Sequence, residues 1–174
     1  MKKIMIVDDN YLSAEGIEKN IDWETLNAEI IHVCYNGTSA IEAMKKEPVD
    51  LIISDIEMPD LDGISMSRQA LEINPMVKII LISAYDKFEY ARRALLLGAL
   101  DYIEKPLDYA YLIQKVKNAF ALMEKEQKNL QLLKQSRPLL TEKFFREITH
   151  LPSSEAAYRL NPYPVSYTHL TLPT

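Results

Sequence analysis

The sequence has a single cysteine, Cys34, in 174 residues. One thiol excludes an intrachain disulfide and fits a reducing compartment. Cys34 sits in an apolar run and reads as a small core residue rather than a reactive thiol. Basic charge is also short, with 20 Lys and Arg against 25 Asp and Glu, a net charge of −5. That balance argues against this chain itself forming a DNA-binding surface, which needs a basic footprint on the phosphates. No apolar stretch approaches the ~20 residues that span a bilayer. The run after Lys3 stops after four residues, at Asp8 and Asp9, so it is not a signal peptide. With no targeting segment, the cytoplasm is the expected location. No internal repeat is visible. The length suits one domain with a real core and is too short for two full ones.

The C-terminal stretch lacks charge. Residues 151–174 hold only Glu155 and Arg159, together with Pro152, Pro162, Pro164 and Pro173. They show no apolar period. They read as an unstructured tail, partly non-native, with native sequence expected to stop near residue 160.

Before that tail, strand-like and helix-like segments alternate. Strands are expected over 4–7, 29–35, 50–54, 78–82 and 100–103. Helices are expected over 11–20, capped by Asn10, then over 39–46, 63–73 and 87–97, and from Asp108 onward. Asn36-Gly37 is a turn signal, and Gly98 a helix stop after a face of Phe88, Ala91 and Leu95. The central strands are apolar throughout, as when helices cover both faces of a parallel sheet. The architecture is therefore α/β, a doubly wound five-stranded parallel sheet. In such sheets ligands bind beyond the carboxyl ends of the strands. The last helix runs on as an extended linker, with Val116, Ala119, Met123, Leu130 and Leu133 at heptad-like spacing and Glu126 breaking the seam. A short coiled coil and a solvated amphipathic linker both fit. One more short helix is expected over 139–148, after Pro138. The expected divisions are 1–122, a helical linker over 123–150, and the tail.

Acidic residues fall where strands end: Asp8 and Asp9 after the first, Asp55 after the third. Adjacent strand ends bring three carboxylates into one pocket, where each resists ionisation. A divalent cation removes that cost, and Mg²⁺ suits a cup of carboxylate oxygens completed by phosphate and water. Lys105 follows the fifth strand and Ser83 ends the fourth, adding an ammonium and a hydroxyl at the same rim. An Asp nucleophile, a metal, a cation and a hydroxyl donor are the parts that phosphoryl transfer needs. Taken singly, a strand-terminal Asp is a loop or capping residue, and a Lys-Pro pair is a turn. The combination carries the reading.

These residues resemble the receiver domain of two-component response regulators. The likeness rests on Asp8-Asp9, on Asp50-Leu51-Ile52-Ile53-Ser54-Asp55-Ile56-Glu57-Met58-Pro59 with Asp62-Gly63, on Ser83-Ala84, and on Asp101-Tyr102-Ile103-Glu104-Lys105-Pro106, and it covers about residues 2–122. It implies the flavodoxin-like (βα)5 fold and Asp55 as phosphoacceptor. It implies Mg²⁺ held by Asp9 and Asp55, by Asp8 largely through water, and by the backbone carbonyl of Glu57. Ser83 and Lys105 would contact the phosphoryl group, Lys105-Pro106 would be cis, and Tyr102 would be the aromatic switch. The Glu57 side chain, near the phosphoryl group in the family, would tune hydrolysis.

A narrower resemblance, to the receivers of AraC-type regulators, rests on Ile21-Asp22-Trp23-Glu24 and on Ala84-Tyr85-Asp86-Lys87-Phe88-Glu89-Tyr90-Ala91. Such proteins carry a helix-turn-helix DNA-binding domain beyond a helical linker, and the segment from Leu139 to Phe145 looks like the start of one. By themselves Trp23 and Phe88 read as core or helix-packing residues. The implied partners are a sensor histidine kinase, a second copy when phosphorylated, and DNA only through a domain missing from this chain, with no membrane. The chain reads as a signalling protein rather than an enzyme. Two alternatives stand beside it. A pseudo-receiver would act only as an interaction module, but such chains usually lack part of the acid cluster or the lysine. An Asp-based phosphohydrolase would carry a second acid two residues after the nucleophile in an Asp-x-Asp pattern. Glu57 stands there instead, and no cap domain is present.

Overall fold

A computed structural model describes residues 1–84 and 98–149, with side chains as far as residue 134. The expected helix over 87–97, with Phe88, Ala91 and Leu95, lies outside the described residues. So do most of the second AraC-like segment and the tail.

Five strands form one parallel sheet: β1 (Lys2–Val7), β2 (Ala28–Cys34), β3 (Leu51–Asp55), β4 (Lys78–Ser83) and β5 (Asp101–Glu104). Their order is β2-β1-β3-β4-β5. The chain leaves β1 for one side of the sheet, then returns to build β3 on the other. This reversal makes the carboxyl ends of β1 and β3 neighbours, with Val7 opposite Ser54. The next residue on each strand is an aspartate, Asp8 or Asp55.

Successive side chains on a strand point to opposite faces. Met5, Val7, Ile52, Ile79 and Leu81 join a core with α2 (Gly37–Lys46) and α3 (Gly63–Ile73). Ile4, Ile6, Ile53, Ile80 and Ile82 join a second core with α1 (Tyr11–Asn20) and the C-terminal helix α4 (Tyr109–Thr149). Two apolar faces explain why β3 and β4 do not alternate in polarity. Cys34 is buried in the first core and Trp23 in the second, both as expected. The Trp23 indole N–H donates to the Glu18 carbonyl at 3.2 Å.

Helix starts are fixed by short polar side chains that take up free N–H groups. Asn10 accepts from the N–H groups of Leu12 and Ser13, as expected. Asn36 accepts from the Ser39 N–H at 2.8 Å. The Asn-Gly pair is thus a helix cap, and α2 begins at Gly37, two residues before the expected start.

Two expectations for the C-terminal helix change. Pro138 does not end it, so the segment 139–148 forms its last turns rather than a separate helix. Proline inside a helix removes one N–H bond and tends to kink it, and it need not stop it. The heptad-like series also divides. Val116, Ala119 and Met123 are buried in the second core, whereas Leu130 and Leu133 are exposed. A helix lying on a sheet repeats its apolar residues at the same three-and-four spacing as a coiled-coil seam. The chain forms two compact units, the first Met1–Met123 and the second beginning at Glu124. Among the described residues no helix is long and apolar enough to cross a membrane.

Candidate functional site

The site forms where β1, β3 and β5 end. Asp8 is almost fully buried. Its Oδ1 accepts the Asn10 N–H at 2.9 Å and its Oδ2 accepts from Lys105 Nζ at 3.0 Å. Asp55, also buried, accepts the Glu57 N–H at 3.2 Å on Oδ1 and Lys105 Nζ at 2.7 Å on Oδ2. Asp9 is exposed, yet one oxygen from each of Asp8, Asp9 and Asp55 lies within 4.8 Å of the others. The sequence placed these four residues at one rim, and the structure brings them together.

The electrostatics are those of a crowded acid site. Burial pushes the Asp8 carboxyl above its ordinary value, and the Asn10 N–H and Lys105 only partly offset this. Burial pulls the Lys105 ammonium down, but the Asp55 and Asp8 carboxylates outweigh it and hold its pKa above the ordinary value. Lys105 therefore stays charged and joins two strands of the sheet. Three clustered carboxylates, two of them paired with one ammonium, leave an excess of negative charge and oxygen donors. Hard oxygen donors at this spacing fit Mg²⁺.

Ser83, fully buried, ends β4 opposite Glu104. Its carbonyl accepts the Lys105 N–H at 2.8 Å, which fixes where the lysine leaves β5. The Lys105-Pro106 bond is cis, as the resemblance implied. Tyr102 is half-buried and packs against the first core. Glu57 is half-buried beside Asp55.

Several supports of the site were not singled out from the sequence. Ser54 Oγ donates to the Asp55 carbonyl at 2.7 Å, and the Ile56 N–H donates to the Ile82 carbonyl at 2.9 Å. The Gly63 N–H donates to the Ile56 carbonyl at 2.9 Å, drawing the start of α3 onto the end of β3. Asp62 caps α3 through the Ser65 N–H at 2.8 Å. The Asp62-Gly63 pair was visible in the motif, but its role depends on backbone packing. Beside the site a groove of about 330 Å³ opens between α1 and the residues after β5, lined by Leu12, Ser13, Ile17, Pro106, Leu107 and Tyr109 among others.

The family model described as the response regulator receiver domain matches residues 4–117. Among curated proteins, the chain is 29% identical over 126 residues to the uncharacterized transcriptional regulatory protein YesN of Bacillus subtilis, covering 72% of this chain and 34% of that protein. It is 34% identical over 116 residues to the chemotaxis protein CheY of Treponema pallidum, covering 66% and 79%. The chain thus spans about a third of YesN. Among solved structures, the REC domain of AraT, a response regulator from Geobacillus stearothermophilus, has 35% identity and a TM-score of 0.68, covering 72% of this chain and 98% of that one. A two-component transcriptional regulator AraC from Clostridium phytofermentans has 30% identity and a TM-score of 0.65, covering 74% and 99%. The family match runs from β1 through every strand of the sheet into α4 and covers well over half of the chain. The chain therefore belongs to the response regulators of two-component signalling, through their receiver domain.

Proposed function

We propose that Asp55 accepts a phosphoryl group from a sensor histidine kinase and that the modified domain switches shape to control transcription. The observation that carries this reading is the Lys105 ammonium shared by two buried carboxylates, Asp8 and Asp55, with Asp9 in reach. In the transfer, an Asp55 carboxylate oxygen forms a bond to phosphorus as the donor's bond to phosphorus breaks, and the donor keeps that electron pair. Asp9, Asp55, Asp8 largely through water, and the Glu57 carbonyl would hold Mg²⁺. The metal supplies the positive charge that lets anionic phosphoryl oxygens approach anionic carboxylates.

The rest falls to the chain's own residues. Lys105 shifts from the carboxylates to a phosphoryl oxygen, and the Ser83 hydroxyl donates to another. The phosphoryl group adds about −1.5 to −2 charge and three acceptor oxygens. Movement of Ser83 frees space that Tyr102 fills, a two-state element biased by local charge. The phosphorylated state pairs with a second copy, and DNA is reached through a further domain. The reading places the domain in the cytoplasm.

Thermal unfolding tests this. A ligand at 100 times its Kd adds about 2.7 kcal/mol, so Mg²⁺ with beryllofluoride, a phosphoryl mimic, should raise Tm by roughly 5 °C or more. Mg²⁺ alone should give part of that rise, and Asp55→Asn should lose the beryllofluoride part. No rise with either ligand would sink the proposal.

A further inference from the structure

β5 is the last strand in the sheet order, and among the described residues it pairs only with β4. It carries Tyr102 and ends just before Lys105. An edge strand with one neighbour needs another hold, and Asp101 supplies one. Its Oδ1 accepts the Tyr102 N–H at 3.0 Å. Its Oδ2 lies 2.7 Å from Lys115 Nζ on α4. The two side chains are only 27% and 21% exposed, so water screens the pair incompletely. Lys115 Nζ also lies 4.8 Å from the centre of the Tyr111 ring, one turn earlier on α4. The neighbours Leu112 and Val116 are fully buried, which fixes this face of the helix against the sheet. Asp101 first, and Tyr111 next, hold the Lys115 ammonium above its ordinary pKa.

We infer that Lys115 is a positioning residue for the switch: through Asp101 it ties the backbone of Tyr102 to α4 and so biases the domain toward its unphosphorylated shape. The inference rests on the phosphoryl switch proposed above. Phosphorylation draws Lys105 at one end of β5, while the Asp101–Lys115 pair anchors the other end. A strand released at its anchored end reaches the phosphorylated shape at lower cost. A pair of this kind, worth up to about 1 kcal/mol, shifts a two-state equilibrium by up to about fivefold.

The test is the affinity for Mg²⁺ with beryllofluoride in wild type, Lys115→Gln, Asp101→Asn and Lys115→Arg, with Tm measured alongside. Asp101→Asn keeps an amide oxygen for the Tyr102 N–H and loses only the charge. Both neutral variants should bind about threefold more tightly than wild type, and Lys115→Arg should match wild type. A structural role alone would lower Tm and leave the affinity unmoved. If wild type binds and the neutral variants fall within twofold of it or weaker, the tether is overturned and the receiver reading stands. Tightening by Lys115→Arg equal to that by Lys115→Gln would also overturn it. If wild type itself does not bind, the receiver reading fails first.

Discussion

Gly63→Ala is expected to lower the unfolding free energy by about 3 kcal/mol, the upper end for overpacking a filled site. A Cβ at this position would lie 2.1 Å from the Asp55 carbonyl oxygen and 2.9 Å from the Ile56 Cα. Both contacts are with backbone, so no side-chain rotation relieves them. The Asp55 carbonyl also accepts from Ser54 Oγ, and the Ile56 N–H is bound to Ile82. The bond to Ile82, at the end of β4, holds the end of β3, so it cannot simply retreat. The strain falls on the residue that carries the candidate phosphoacceptor, so phosphorylation should slow as stability drops. Urea unfolding of wild type and variant measures the first effect. A loss below about 0.5 kcal/mol, the usual range for an unconstrained surface change, would mean that α3 can shift away freely.

Asp8→Asn should do the opposite to stability and still abolish function. Asp8 is 1% exposed, and burial raises its pKa despite the Asn10 N–H and Lys105. A carboxyl whose folded pKa lies above its unfolded value of about 3.9 opposes folding once it ionises. Its favourable contribution is complete below the unfolded pKa and is lost as pH rises through the folded pKa. Asparagine keeps an oxygen for the Asn10 N–H and carries no charge, and Lys105 retains Asp55. Without metal, the variant should be more stable than wild type by about 1 kcal/mol at pH 7. That advantage should vanish below about pH 4. The same variant should lose the Mg²⁺-dependent rise in Tm. Functional sites commonly trade stability for activity in this way. Equal urea midpoints at pH 7, or a less stable variant, would show that Lys105 fully compensates the buried charge.

The rim of the site was legible because its residues lie where a change of pattern marks the end of a strand. Asp8-Asp9 closes one apolar run, Asp55 closes another, and Lys105 follows a third. Parallel topology does the rest, since a doubly wound sheet makes those ends neighbours. What depended on packing in three dimensions was not legible. The role of Gly63 is a close approach of backbone to backbone. Lys115 and Asp101 meet only because α4 folds back beside the edge strand. The spacing of Val116, Ala119 and Met123 fits a coiled-coil seam as well as a core face, and only burial separates them. Pro138 reads as a stop in sequence, yet the helix passes through it.

The most direct test of the central claim is intact mass after incubation with acetyl phosphate, with and without Mg²⁺, for wild type and Asp55→Asn. Wild type should gain one phosphoryl group, roughly 80 Da, only when Mg²⁺ is present, and Asp55→Asn should gain none. If wild type gains no mass under conditions that label another receiver domain, Asp55 is not a phosphoacceptor, and the chain is an interaction module whose acidic cluster is a structural or metal site.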